Sequence, residues 1–240
     1  MASKTMLKTR HMDDTVIEAG IDEAGRGCFW GPIMAGALLW PNEDDWTDAH
    51  RELMPNVRDS KKIAPKKREL ICESIKSLAL TWGVGAVTAA EIDEQGITWA
   101  NQEAFRRALA QLSVRPERII IDGAIGLPGF EGEQHNVVEG DNTYLHVAGA
   151  SILAKVAHDT MVMEFCDKNP ECQERYNMLS GHGYGTAKHR EGLKTHGAHA
   201  LHRKTFIYNW VEGGVKPEKV VKAYEPKKRG EEKCLIKLAR

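Results

Sequence analysis

The pattern of apolar and polar positions divides the chain into short strand-like runs followed by longer helical stripes. Val16-Ile17-Glu18-Ala19-Gly20-Ile21 is apolar and partly β-branched, and it stops abruptly at Asp22-Glu23 and a glycine-flanked turn, Gly25-Arg26-Gly27. It reads as a strand carrying acids at its end. Ile33 to Trp40 reads as a second strand buried on both faces, and Leu80 to Val87 as a third with glycines that mark a bend or bulge, so the early chain has the look of a β-meander. Between them, Leu70, Ile71, Ser74, Ile75 and Leu78 recur at turn spacing behind Pro65, predicting a helix over Pro65 to Leu78. Phe105, Ala108, Leu109 and Leu112 form one apolar stripe of a helix beginning near Thr98. Arg118 to Ile121 is strand-like and ends in Asp122-Gly123. After a Gly/Pro loop over Gly126 to Gly132, Asn136 to Glu139 predicts a further short strand closed by Gly140-Asp141. A helix is expected from about Val147 to Phe165, with Ala148, Ile152, Val156 and Met163 on one side. Strands in a run, then alternating with helices, predict a mixed sheet with helices packed on it.

Length and composition fit that picture. The 240 residues, 42% apolar and 28% charged, suffice for one substantial core or two modest ones. Lys and Arg (33) balance Asp and Glu (34), giving a formal net charge of -1, so bulk charge does not announce a polyanion-binding protein. The exception is local. Gly214 to Arg240 holds nine Lys/Arg against four Asp/Glu, a basic tail of +5 that leaves -6 for the residues before it. No apolar run approaches the roughly 20 residues of a membrane span. Met1 to Arg10 lacks the apolar core of a secretion signal, so a cytoplasmic protein with no membrane partner is expected. Five cysteines, odd in number and without C-x-x-C spacing, fit neither a disulfide framework nor a zinc ribbon and are read as reduced thiols. His196, His199 and His202 recur every third residue, but their spacing is no standard finger and no cysteine accompanies them.

Three strand ends carry acids: Asp22 with Glu23, Asp122, and Asp141. In an α/β sheet the edge where strands end is the usual ligand position, so acids distant in sequence can converge there. Four convergent carboxylates repel one another unless a cation sits among them. Hard oxygen ligands suit Mg²⁺ or Mn²⁺, and two such ions can clamp a phosphodiester, one generating hydroxide and the other stabilising the leaving oxygen. Pattern alone leaves other readings open. A single Asp at a strand end is commonly a turn former or helix cap, and paired carboxylates also serve glycoside hydrolysis, although no aromatic sugar platform is evident.

Gly20-Ile21-Asp22-Glu23-Ala24-Gly25-Arg26-Gly27, followed by Gly31-Pro32, resembles the N-terminal signature of type 2 ribonucleases H, the ribonuclease HII family. Four more blocks follow in order. Asp59-Ser60-Lys61-Lys62 with Lys66-Lys67-Arg68 looks like the family's second block, and Ile121-Asp122-Gly123 like the third. Gly140-Asp141 with Ala150 to Val156 resembles the fourth. Gly183-Tyr184-Gly185-Thr186 with His189, His196-Gly197 and His202-Arg203 resembles the fifth. The resemblance covers about residues 16 to 206. It implies an α/β, RNase H-like fold: a five-stranded mixed sheet flanked by helices, with a helical C-terminal part. The domain division it implies is an N-terminal extension over 1–14, a catalytic domain over 15–213 and the basic tail over 214–240.

By the same resemblance, the chain hydrolyses the RNA strand of RNA/DNA hybrids and incises at ribonucleotides embedded in duplex DNA. The products carry 3′-hydroxyl and 5′-phosphate ends, and the expected roles are ribonucleotide removal and RNA primer removal in replication and repair. Position by position it makes Asp22, Glu23, Asp122 and Asp141 the catalytic metal ligands for Mg²⁺ or Mn²⁺ in a two-metal site. Gly25, Arg26 and Gly27 read the ribose 2′-hydroxyl through backbone groups, a role for which glycine permits close approach. Tyr184 stacks on the deoxyribose beyond the junction. Lys61 and Lys62 contact backbone phosphates, against the plainer reading of a solvated basic face. Lys155 and Asp159 sit at i, i+4 spacing and read as a surface pair, with Asp159 a reserve ligand only. A monomer is expected, and no clear sliding-clamp motif is present. Two departures stand out: Cys28-Phe29-Trp30 follows the turn where the family usually has Pro, and His158 stands where it usually has Arg. A ribonuclease HIII, which lacks the Gly-Arg-Gly turn and carries an extra N-terminal domain, fits less well. The rival readings are a non-catalytic nucleic-acid-binding scaffold and a junction resolvase of the same fold.

Overall fold

The computed structural model describes residues 6–216 and 218; all of the basic tail beyond these lies outside the described residues. One mixed sheet is built from β1 (Glu18–Ala24), β2 (Ile33–Leu39), β3 (Thr81–Val87), β4 (Arg118–Asp122) and β5 (Glu133–Val137), in the spatial order β3-β2-β1-β4-β5. The first three strands pair antiparallel as the expected meander, whereas β4 runs parallel to β1 and β5 parallel to β4. Because β1 and β4 are parallel neighbours, their acid-bearing C-terminal ends leave the sheet on the same edge.

Nine α-helices are found among the described residues: α1 (Asp48–Leu53), α2 (Pro65–Leu78), α3 (Ala89–Gln95), α4 (Ile97–Leu109), α5 (Leu145–Lys168), α6 (Pro170–Tyr176), α7 (Met178–Gly181), α8 (Ala187–His196) and α9 (Lys204–Ile207). Strand alternation sorts the core onto two faces. Ala19 and Ile21 of β1, with Ile119 and Ile121 of β4, pack against Ala100, Ala104, Phe105 and Ala108 of α4. The opposite face takes α5, whose Leu145, Ala148, Ile152 and Leu153 pack with Ile71, Cys72 and Ile75 of α2. A third cluster joins Trp30 to Val162 of α5, Tyr176, Leu193 of α8 and Ile207, which binds the C-terminal helices to the loop after β1. The fold is the expected one.

Small residues let α5 lie directly on the sheet. A Cβ on Gly36 would stand 2.2 Å from the Ala150 carbonyl oxygen, and one on Gly20 would stand 2.3 Å from the His146 carbonyl carbon. At both positions the obstacle is backbone, so no rotamer change relieves it.

Three expectations are corrected. The last strand is not Asn136 to Glu139 but β5, an edge strand whose sequence Glu-Gln-His-Asn-Val is mostly exposed; Val138 follows it at 76% exposure. An edge strand needs little apolar patterning, and the Val137-Val138 pair drew the prediction downstream. Asp141 therefore stands in a 3-10 turn, Gly140–Asn142, rather than at a strand end. The long helix starts two residues earlier and ends three later than expected, and its Met163 is exposed. Its first turns are buried nearly all round between the sheet and α2, so a one-sided stripe describes only part of it. The short helix α3 was not anticipated; it is set off by a Thr88–Glu91 capping box and by Gly96 at φ 86°.

Residues before β1 lie against the domain. The Lys8 N–H donates to the Thr143 carbonyl (2.9 Å) and the Leu145 N–H to the Lys8 carbonyl (2.8 Å), while Leu7 packs on the α2–α5 core. Asp14 pairs with Arg118 at 2.7 Å. This stretch thus flanks the turn that carries Asp141.

Candidate active site

Asp22 and Glu23 are adjacent on β1 and so face opposite sides of the sheet. Asp22 points toward α5, where it is buried and receives hydrogen bonds from the Ser151 side chain and from the Glu23 N–H at 2.6 Å. Ser151 is in turn 3.0 Å from the hydroxyl of Ser60. Glu23 points toward α4 and is hydrogen-bonded by the Asn101 side chain. Asn101 is almost fully buried, and its Oδ1 is a buried atom without a partner. Asp122, at the end of β4, accepts the Gly140 N–H at 2.7 Å. Glu139, at φ 57°, turns the chain into the left-handed region just before Gly140, bringing Asp141 to the same edge. Asn142 Nδ2 donates to Asp141 at 3.2 Å.

The electrostatics tie the four acids together. Burial first, and then the charges of Glu23 and Asp122, push the Asp22 carboxyl well above its ordinary value. Glu23 is raised by burial and by Asp122, against the pull of Arg26 and Lys61. Asp141 is pushed up to about 6 by burial, with Asp122 and Asp59 adding to the rise. Asp122 is the shared neighbour in all three. Among the described residues no three His, Cys, Asp or Glu side chains close into a ready-made metal cage. The donor set nevertheless fits a hard divalent cation: it offers carboxylate oxygens, without sulfur or imidazole, whose mutual repulsion a cation would relieve.

Around this edge stand the other expected residues. Lys61 and Lys62 are exposed on the 3-10 turn Ser60–Lys62, capped by the Asp59 side chain accepting from the Lys61 N–H at 2.9 Å. Lys62 Nζ donates to Asn142 Oδ1 at 2.7 Å, which joins this basic turn to the Asp141 turn. Arg26 and Gly27 are exposed; Gly25, at φ 78°, is buried beneath them. Tyr184 is 40% exposed, its ring 3.6 Å from the Cβ position of Gly27 and its phenol hydrogen-bonded with the Gly25 backbone. Burial pushes that phenol up to about 12, so it stays neutral. The ring is thus partly open and lies beside the Gly-Arg-Gly turn.

The two departures from the family pattern touch each other. Cys28 Sγ lies 3.6 Å from His158 Nε2 and donates to the His182 carbonyl at 3.3 Å. Burial pushes the Cys28 thiol up to about 12, leaving it an unreactive packing group. The His158 ring is fully buried under Gly25, where an added Cβ would fall 2.4 Å from it. Lys155 and Asp159 do pair, at 2.7 Å, but not as a surface pair. Asp159 is also 3.3 Å from His158, 3.4 Å from His182 and 3.9 Å from Arg68, in a largely buried cluster that supports the turn. His189 and His202 meet at 2.9 Å in the interior beside Tyr176. Burial lowers them to about 4 and about 3, so both are neutral packing groups.

Sequence reasoning missed the supporting residues. Asn101, Ser151 and Arg203 carry no special signal alone, although Ser151 and Arg203 lie within blocks already singled out.

The ribonuclease HII family model matches residues 19–210. The ribonuclease HII of Prochlorococcus marinus is 39% identical over 191 residues, 79% of this chain and 95% of the relative. That of Parabacteroides distasonis is 40% identical over 196 residues, 82% of this chain and 92% of the relative. Among solved structures, the ribonuclease H2 of Pyrococcus horikoshii superposes with a TM-score of 0.64 at 28% identity, covering 78% of this chain and 92% of its own. A structure of the PCNA and ribonuclease HII complex of Archaeoglobus fulgidus matches with a TM-score of 0.63 at 26% identity, covering 79% and 93%. The match runs across most of the chain, so this chain belongs to the ribonuclease HII family and is a ribonuclease H.

Proposed function

We propose that the chain cuts the RNA strand of RNA/DNA hybrids and incises at single ribonucleotides in duplex DNA, using the acid-lined edge of the sheet. The observation that carries this reading is the coupling of Asp22, Glu23, Asp122 and Asp141 at one edge, with the Gly25-Arg26-Gly27 turn following β1 directly. In this reading the four acids hold two divalent ions, Mg²⁺ or Mn²⁺. When bound, such ions supply Lewis-acid charge that activates water and stabilises the departing 3′-oxygen, leaving 3′-hydroxyl and 5′-phosphate ends.

The chain's own residues do the positioning. Ser151 and the Glu23 N–H orient Asp22, Asn101 orients Glu23, and the Gly140 N–H orients Asp122. The turn presents backbone groups to the ribose 2′-hydroxyl, Tyr184 offers its exposed face to the next sugar, and Lys61 and Lys62 meet backbone phosphates beside Asp141. Residues 15–213 form the catalytic unit, with 1–14 an N-terminal extension whose Leu7, Lys8 and Asp14 contact it and 214–240 a basic tail. Removal of embedded ribonucleotides and of RNA primers is the corresponding cellular role, in the cytoplasm. The Archaeoglobus relative's complex supports a sliding clamp as a partner, with the chain acting as a monomer on its substrate.

The test is a duplex containing one ribonucleotide, incubated with Mg²⁺ and with EDTA. Metal-dependent incision on the 5′ side of the phosphate is expected, and Asp122→Asn should lower it by about 10³-fold or more, as when a group essential to the transition state is removed. No incision by the wild type, or full activity of Asp122→Asn, overturns the reading.

A further inference from the structure

Arg203 lies 177 residues beyond Arg26 in sequence and directly beneath its turn in space. It is fully buried, and its guanidinium donates three hydrogen bonds, all to main-chain carbonyls: Nε to Gly31, Nη1 to Arg26 and Nη2 to Gly25, each at 2.8 Å. The backbone around it is tied to the same loop. The Arg203 N–H donates to the Phe29 carbonyl at 2.8 Å, and the Gly31 N–H donates to the Leu201 carbonyl at 2.9 Å. A buried guanidinium is costly, and an apolar side chain of similar volume commonly serves packing as well or better. What an apolar group cannot do is hold three carbonyls at once with a rigid planar fork.

Peptide geometry turns this clamp into an aiming device. The peptides of the described residues are all trans, and in a trans peptide the C=O and the following N–H point in opposite directions. Fixing the Gly25 and Arg26 carbonyls on the guanidinium therefore directs the Arg26 and Gly27 N–H groups to the other side, where both residues are exposed. Two successive N–H donors facing out of a turn make a small concavity that accepts an oxygen with negative character.

We propose that Arg203 is a positioning residue for sugar selection: by holding the carbonyl side of the turn, it fixes the direction of the Arg26 and Gly27 N–H donors and thereby the preference for ribose over deoxyribose at the cleavage junction. This rests on the reading that the turn meets the ribose. Arg203 itself touches no substrate.

The experiment measures binding to a duplex containing one ribonucleotide and to the same all-DNA duplex, with Mg²⁺, in the full chain carrying Asp122→Asn so that the substrate stays intact. Asp122→Asn alone should prefer the ribonucleotide duplex. Adding Arg203→Lys should reduce that preference by about tenfold, in line with the sensitivity of such contacts to sub-ångström misplacement, while all-DNA affinity holds. Absence of any preference in Asp122→Asn alone defeats the reading of the turn. A preference that survives Arg203→Lys, or an equal loss on both duplexes, defeats the role of Arg203 and leaves that reading standing. If Arg203→Lys does not fold, NMR on the Asp122→Asn protein decides. The Arg203 Nε–H should exchange slowly, and the Arg26 and Gly27 amide resonances should move only with the ribonucleotide duplex. Exchange as fast as that of the exposed Arg26 side chain, or equal movement with both duplexes, overturns the proposal.

Discussion

At the residue scale, the acids at the sheet edge are held against their own repulsion, and this has a measurable sign. Asp141 titrates near 6 in the folded chain against an ordinary 3.8, so between those values the folded state binds a proton that the unfolded state does not. In the metal-free protein, ionised Asp141 is thus destabilising above about pH 6, and the penalty fades as pH falls toward 4. Asp141→Asn should raise the metal-free Tm most at pH 7.5, by about half as much at pH 5, and least near pH 4. Comparing variant with wild type at each pH cancels the opposite trend of His189 and His202, whose lowered values make the fold lose stability as pH falls below 6.5. Differential scanning fluorimetry in EDTA checks this, and an equal Tm change at all three pH values would refute it. Asp22, Glu23 and Asp122 were legible in the sequence as acids at strand ends beside glycine turns, and Asp141 was picked out with them although it stands in a 3-10 turn. Their partners were not. Asn101 looks like any polar residue of a helix until α4 is laid across β1, and nothing in His202-Arg203 announces that its guanidinium reaches back beneath residues 25 to 31.

At the scale of elements, the sequence was informative wherever an element is buried on a definite face, and misleading where it is not. β1, β2, β4 and α2 were legible because they bury regular faces. β5 was misplaced because it is an edge strand with an exposed sequence, and the long helix was under-measured because its first half is enclosed on every side. The approach of α5 to the sheet was also hidden, since a glycine in a strand reads equally well as a bulge. The structure gives that glycine a definite cost of replacement. Gly36→Ala places a Cβ 2.2 Å from the Ala150 carbonyl oxygen, so α5 must lift from β2. Overpacking of this kind costs typically ~1–3 kcal/mol. The urea midpoint should fall accordingly with little change in slope, and activity should fall too, because Ser151, the neighbour of Ala150, orients Asp22. An unchanged midpoint would mean that α5 is not seated as described.

At the scale of the whole molecule, a formal charge of -1 looks unsuited to a nucleic-acid enzyme, yet the charge is unevenly placed. Acids gather at the sheet edge, where two divalent ions would largely cancel them, basic Lys61 and Lys62 stand beside it, and the sequence of residues 214–240 carries a net +5. The substrate then meets a surface more positive than the count implies. The tail's share can be isolated because electrostatic binding to a duplex releases counterions in proportion to the phosphates neutralised. Each neutralised phosphate steepens the salt dependence of the binding constant by ~0.9 in a log-log plot. A net +5 in the tail therefore allows a slope change of up to about 4.5 if every net charge meets one phosphate. Removing residues 214–240 should weaken duplex binding most at low salt and flatten that slope, while the preference for a ribonucleotide, proposed to lie with the turn, stays unchanged. Anisotropy titrations from 50 to 300 mM salt, about the range over which such slopes are resolved, with Asp122→Asn in both forms, measure both quantities. Parallel salt dependences would show that the tail contributes no affinity. A lost ribonucleotide preference would show that it acts on the site rather than on the approach of the duplex.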